Sequence, residues 1–125
     1  MDYALALAKH FGATVILLHV VEPAVAVKGA RITSPGVEES SRMMLDGGRD
    51  ALAHACRRRV RAGVAIETLV RMGRAYSEIA DTAKALACDM IVMGTRGATR
   101  ETATLGSTAD WVVHHAPCPV ITTRP

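Results

Sequence analysis

Residues 14–21 read Thr-Val-Ile-Leu-Leu-His-Val-Val, a nearly unbroken apolar and β-branched run that ends at Pro23. A strand with one wet face alternates polar and apolar residues, and this one does not. Such a run suits a strand covered on both faces, which in turn calls for a parallel sheet with helices on each side. The neighbouring segments agree. Met1–Phe11 is rich in good helix formers and stops at Gly12, while 24–36, with Gly29, Pro35 and Gly36, reads as a connection. Val37–Ala62 is helical, with Leu45, Leu52, Ala55, Cys56 and Val60 on one face. Gly47-Gly48 weakens that helix by about 2 kcal/mol and predicts a kink or a later start. Gly63 closes it.

Val64–Met72 then reads as a strand, and Ala75–Ala87 as a helix facing the sheet with Ile79, Ala80, Ala83, Leu86 and Ala87. Asp89–Met93 is the next strand, Ser107–Ala116 the last helix and Cys118–Thr123 a final strand. Strict alternation of helix and strand implies one α/β domain over 1–125, an open parallel sheet with right-handed crossovers.

Composition narrows the function. The 125 residues carry a formal charge of +3, and Tyr3, Phe11, Tyr76 and Trp111 are the whole aromatic set. That leaves little for stacking bases of single-stranded nucleic acid. The basic run Arg57-Arg58-Arg59, with Arg61, falls at a helix end, where cations suit the dipole and need no nucleic acid. Cys56, Cys88 and Cys118 lack metal-ligand spacing and read as reduced, buried thiols. No signal-peptide pattern and no span-length apolar run is present, so the expectation is a soluble, cytoplasmic protein without membrane contact.

The chemistry concentrates in Met93–Ser107. A strand runs into Gly94 and Gly97, a polar loop follows, and Gly106-Ser107 opens an apolar helix. Glycines let backbone amides approach a ligand, and a helix start presents unpaired donors with partial positive charge. This pattern predicts an anion site, for phosphate, at the carboxyl end of a strand. Its donors are the Gly94 and Gly97 amides, the Gly106, Ser107 and Thr108 amides, the Ser107 hydroxyl, and Arg96 or Arg100. Ser107 with Asp110 reads as a capping box. P-loop, dinucleotide and nucleophile-elbow signatures are absent. His19, His114 and His115 form no set of nucleophile, base and orienting group, so the chain reads as a binding module and not an enzyme.

With these residues in view, the chain resembles the universal stress protein family. The likeness rests on Ala4–Lys9 with Phe11-Gly12-Ala13, on Leu17–Val21, on Asp89–Gly97 and on Gly106-Ser107 through Val120, with Val70-Arg71, Gly73 and Ile79-Ala80 also fitting. The resemblance implies a five-stranded parallel sheet and, in many members, ATP held by a Gly-x-x-Gly, nine-residue, Gly-Ser/Thr motif. Carried over by position, it implies Val20 against adenine, Met93, Gly94 and Gly97 at ribose and phosphates, and Gly106, Ser107 and Thr108 on the phosphate tail. ATP, accompanied by Mg²⁺, is the implied ligand. Stress response or signalling is the implied role, and a dimer through 118–123 the implied assembly. The alternative is a nucleotide-free dimerising interaction protein of the same family.

Two departures from the family pattern stand out. Eight residues, 98–105, separate Gly97 from Gly106, one fewer than nine. The family also opens with a central strand ending in an aspartate that contacts the nucleoside, placed between the strands represented here by Thr14–Val21 and Asp89–Met93. This chain shows no counterpart. Losing that charge-assisted hydrogen bond alone costs roughly 1.5–3 kcal/mol, about tenfold to a hundredfold in affinity. Three explanations stand: a truncated product or a mis-assigned start, with the strand encoded upstream, which is favoured for the gene; a natural short form whose sheet rearranges or whose gap a second chain fills; or a sheet that closes up and loses ATP. Each leaves exposed edge groups and favours association.

Overall fold

The computed structural model describes residues 1–23, 35–59, 63–95 and 105–124. Helix α1 (Asp2–Phe11) buries Leu5 and Ala8 on one side and ends at Gly12, whose φ of +64° suits a residue without Cβ. Strand β1 (Thr14–Val21) follows. Helix α2 (Pro35–Arg59) runs as one helix through Gly47 and Gly48, so it starts earlier than the expected weak point. The reason lies in its packing. A Cβ on Gly48 would stand 3.1 Å from both His19 Cδ2 and Val70 Cγ1, so this glycine lets the helix settle onto the sheet.

Strand β2 (Ala65–Met72) pairs parallel with β1, Thr14 opposite Ala65 through Val21 opposite Met72. Helix α3 (Ala75–Ala85) is two residues shorter than its periodicity suggested. Its end is a Schellman closure: Cys88 donates to the Ala83 carbonyl at 2.9 Å and Ala87 to that of Lys84 at 3.2 Å, with Ala87 at φ +49°. Leu86 consequently points outward, 47% exposed, where the sequence pattern placed it on the sheet.

Strand β3 (Ile91–Gly94), helix α4 (Ser107–His115) and strand β4 (Val120–Thr123) complete the described order. β3 and β4 are parallel, Ile91 opposite Val120 through Gly94 opposite Thr123. α4 buries Ala109 and Val112, and α3 buries Ala80, Thr82 and Ala83. Helix α3 packs on both α4 and β1, while α2 packs on β1 and β2. Tyr76 and Trp111 fasten α3 to α4 with ring centroids 4.8 Å apart, and His115 stacks on Trp111 at 4.1 Å.

The parallel α/β fold thus forms, as the sequence pattern required, with open sheets. Among the described residues the strands make two separate pairs, β1 with β2 and β3 with β4. No pairing joins β1 to β3 there, so the sheet does not close up between them.

Candidate functional site

The carboxyl ends of β3 and β4 converge on the start of α4. Thr95, one residue past β3, donates to the Thr123 carbonyl at 3.0 Å, and its own carbonyl accepts from the Gly106 amide at 2.6 Å. Gly106 is the residue before α4, with extended φ −63° and ψ 162°. Two segments distant in sequence are thereby tied together, and Gly94 lies exposed at the junction.

The expected capping box is not what holds this helix start. No side chain caps it, and Ser107 is the first helical residue instead of the cap. Asp110 turns down the helix, its carboxylate 3.7 Å from His114 Nδ1, while His114 Nδ1 donates to the Asp110 carbonyl at 2.7 Å. A helix of this kind satisfies none of its first amides internally. Among the described residues the Ser107 and Thr108 amides have no backbone acceptor, whereas the Gly106 amide is already committed to Thr95. Of three amides expected to face a phosphate, one is turned onto protein and two have no backbone acceptor among the described residues.

Met93 and Gly94 stand in β3 opposite Thr122 and Thr123. Val20 stands near the end of β1, opposite Arg71, in the other strand pair. No hydrogen bond or register in the described residues links Val20 to the β3–α4 junction. Gly97, Arg96 and Arg100 lie outside the described residues. His19 is exposed on β1 near Gly48, and His115 Nδ1 donates to the Trp111 carbonyl at 2.8 Å.

A second helix start was not anticipated. Glu22, just past β1, accepts a hydrogen bond from the Ala75 amide at 2.6 Å and so closes the start of α3 from a distant element. The Gly73 amide donates to the Val21 carbonyl at 3.0 Å beside it. The only sequence signal was a carboxylate directly after a strand; nothing local to α3 announces this partner. This carboxylate makes the α3 start poor for anions and leaves α4 as the better candidate.

Phosphate oxygens fit the open Ser107 and Thr108 amides at the α4 start. No cluster of three or more His, Cys, Asp or Glu suited to a metal occurs among the described residues. The cleft lined by Met1, His54, Ala55 and Arg58 belongs to α1 and α2 and shares no residue with this junction. The three cysteines are free and half-buried. No helix among the described residues is long and apolar enough to cross a membrane.

Residues 1–124 match the profile described as the Universal stress protein family. The chain is 33% identical over 124 residues to Universal stress protein MJ0531 of Methanocaldococcus jannaschii, covering 98% of this chain and 71% of that one. Among solved structures it resembles universal stress protein UspA from Lactobacillus plantarum, with 27% identity, a TM-score of 0.77 and coverage of 98% and 86%. A universal stress protein family protein from Arabidopsis thaliana, solved with AMP bound, shares the fold at 23% identity and TM-score 0.61, over 98% of this chain and 74% of that one.

Proposed function

Because this chain belongs to the universal stress protein family, we propose that it is a nucleotide-binding module that holds the phosphate tail of ATP at the start of α4 and serves in stress response or signalling. The observation that carries the proposal is the Thr95–Gly106 hydrogen bond, which brings the open Ser107 and Thr108 amides to the end of β3 beside exposed Gly94. Unpaired amides at a helix start, reinforced by the helix dipole, suit phosphate oxygens. The Arabidopsis relative with AMP bound supports a nucleotide as the ligand class. In this reading Met93 and Gly94, with Gly97, border the ribose and phosphates, and Val20 contributes to the base side. Mg²⁺ accompanies the phosphates. Binding is the activity, and no step of chemistry is assigned.

The test is calorimetric titration of Mg-ATP into the full chain and into Ser107→Pro. Proline at the first helical position removes one donor while keeping the helix, and the extended ψ of Gly106 accommodates it. Binding weakened roughly tenfold or more, with unfolding unchanged, is expected. Absence of binding by the parent chain, or equal binding by both, refutes the proposal.

A second reading is a nucleotide-free interaction protein that dimerises through 118–123. It is favoured by one observation: among the described residues β4 pairs on one side only, with β3. Light scattering that finds a monomer at micromolar concentration dismisses it.

A further inference from the structure

We propose that the outer edge of β2 is a docking surface for a second copy of this chain, which adds its own β2 antiparallel about a twofold axis at Leu69. This surface is independent of the nucleotide reading and of residues 118–123. Among the described residues β2 pairs with β1 alone, so one of its edges has no strand partner there. The hydrogen bonds identify the groups on that edge. Gly73 donates to the Val21 carbonyl at 3.0 Å, which turns the odd-numbered residues of β2 toward β1. Successive residues of extended backbone direct their N–H and C=O to opposite sides. Ile66, Thr68, Val70 and Met72 therefore present theirs outward.

The side chains alternate as well. A Cβ on Gly48 of α2 would stand 3.1 Å from Val70 Cγ1, so Val70 and its even-numbered neighbours lie on the α2 face. Glu67, Leu69 and Arg71 lie on the other face, with Glu67 and Arg71 exposed and Leu69 half-buried. Four residues apart along a strand, Glu67 and Arg71 are about 13 Å from each other, too far to pair within one chain. Neither makes an ion pair with another described residue.

A second copy supplies what both lack. Antiparallel pairing about Leu69 sets Thr68 opposite Val70 of the second copy and Ile66 opposite its Met72. All four are outward-facing, so their backbone groups exchange hydrogen bonds. The pairs between them are Leu69 with itself and Glu67 with Arg71, the latter made twice. These are non-hydrogen-bonded pairs, where facing side chains lie closest. The adjacent registers of the same hydrogen-bonding phase set Glu67 opposite Leu69 or Gly73, and they lose both charge pairs. Charge on a sheet edge ordinarily discourages pairing. Here one acidic and one basic residue, spaced evenly about Leu69, make the edge complementary to itself, as a twofold interface requires.

Sedimentation velocity of the full chain, from low micromolar to millimolar concentration, measures the association, and amide exchange by NMR locates it. The parent self-associates, and its Thr68 and Val70 amides slow by about tenfold as it does. Glu67→Arg alone and Arg71→Glu alone each set like charges opposite one another twice, and each weakens association about tenfold. An equal mixture of the two variants associates about as tightly as the parent, because one chain then offers two positive charges and the other two negative ones. The exchange readout on the parent stands whether or not a variant folds. Four results overturn the proposal: a parent that is monomeric at every concentration; association that leaves Thr68 and Val70 unprotected; single variants that associate like the parent; or folded variants whose mixture associates no better than either alone.

Discussion

The Gly106 amide and the Thr95 carbonyl, 2.6 Å apart, lock the start of α4 to the end of β3. This bond holds together the two ends of the segment that carries Gly97. It uses one donor of the helix start and aims the next two. Gly106 sits at φ −63°, a value open to any residue, so its backbone gives no reason for glycine. In the nucleotide reading this glycine leaves room for the ligand. Gly106→Ala is therefore expected to keep Tm within about 2 °C of the parent while weakening Mg-ATP binding several-fold, read by thermal unfolding and calorimetry together.

Asp110 places a negative charge in the first turn of α4, and its exposed pairing with His114 neutralises it poorly. Asp110→Asn removes repulsion from a phosphate at that helix start. Affinity for Mg-ATP rises about twofold to fivefold at low salt, and the gain shrinks in high salt. A loss of affinity would show that Asp110 contributes to the site directly.

Ala87 occupies the left-handed position of the Schellman closure at φ +49°, where a Cβ costs about 1 kcal/mol. Ala87→Gly stabilises the fold by roughly 0.5–1 kcal/mol, measured by urea unfolding. The opposite change is costly at Gly73, whose φ is +148° and where a Cβ would stand 2.6 Å from Glu78 Oε1. Gly73→Ala loses about 1–3 kcal/mol in the same assay.

Cys88 and Cys118 lie at the amino ends of β3 and β4, opposite the candidate site. Burial pushes both thiols above their ordinary value. The Asp89 charge adds to the rise at Cys88, and Cys88 followed by Asp89 adds to it at Cys118. The folded protein thus holds these protons more tightly than the unfolded chain does. Stability is complete below the ordinary thiol range and declines as pH climbs through the raised values. Iodoacetamide at pH 8–9 labels both residues more slowly in the folded chain than in urea, as mass spectrometry would record.

Much of this architecture was legible in the sequence, and the illegible part has identifiable causes. The Thr14–Val21 run announced a strand because hydrophobic periodicity is local, though most of its residues are half-buried and not covered as the run suggested. Gly12 marked where α1 stops. Leu86 was misplaced because helical spacing continues past the point where the Schellman turn ends α3. Ser107 and Asp110 have capping-box spacing, but Thr95 claims the Gly106 amide and Asp110 turns to His114. The partner of the α3 start, Glu22, stands 53 residues away in sequence and was visible only after folding. The break between the strand pairs was legible only by resemblance, since no local pattern reports which strands will be neighbours.

The most direct measurement is the ¹H–¹⁵N spectrum of the full chain during titration with Mg-ATP. The Ser107 and Thr108 amide protons should move downfield together and saturably, with smaller shifts at Gly94 and Thr95, while the amides of the α3 start stay in place. Ser107 and Thr108 left unmoved at millimolar Mg-ATP, or shifts gathered around Ala75 instead, would contradict a phosphate site at the start of α4.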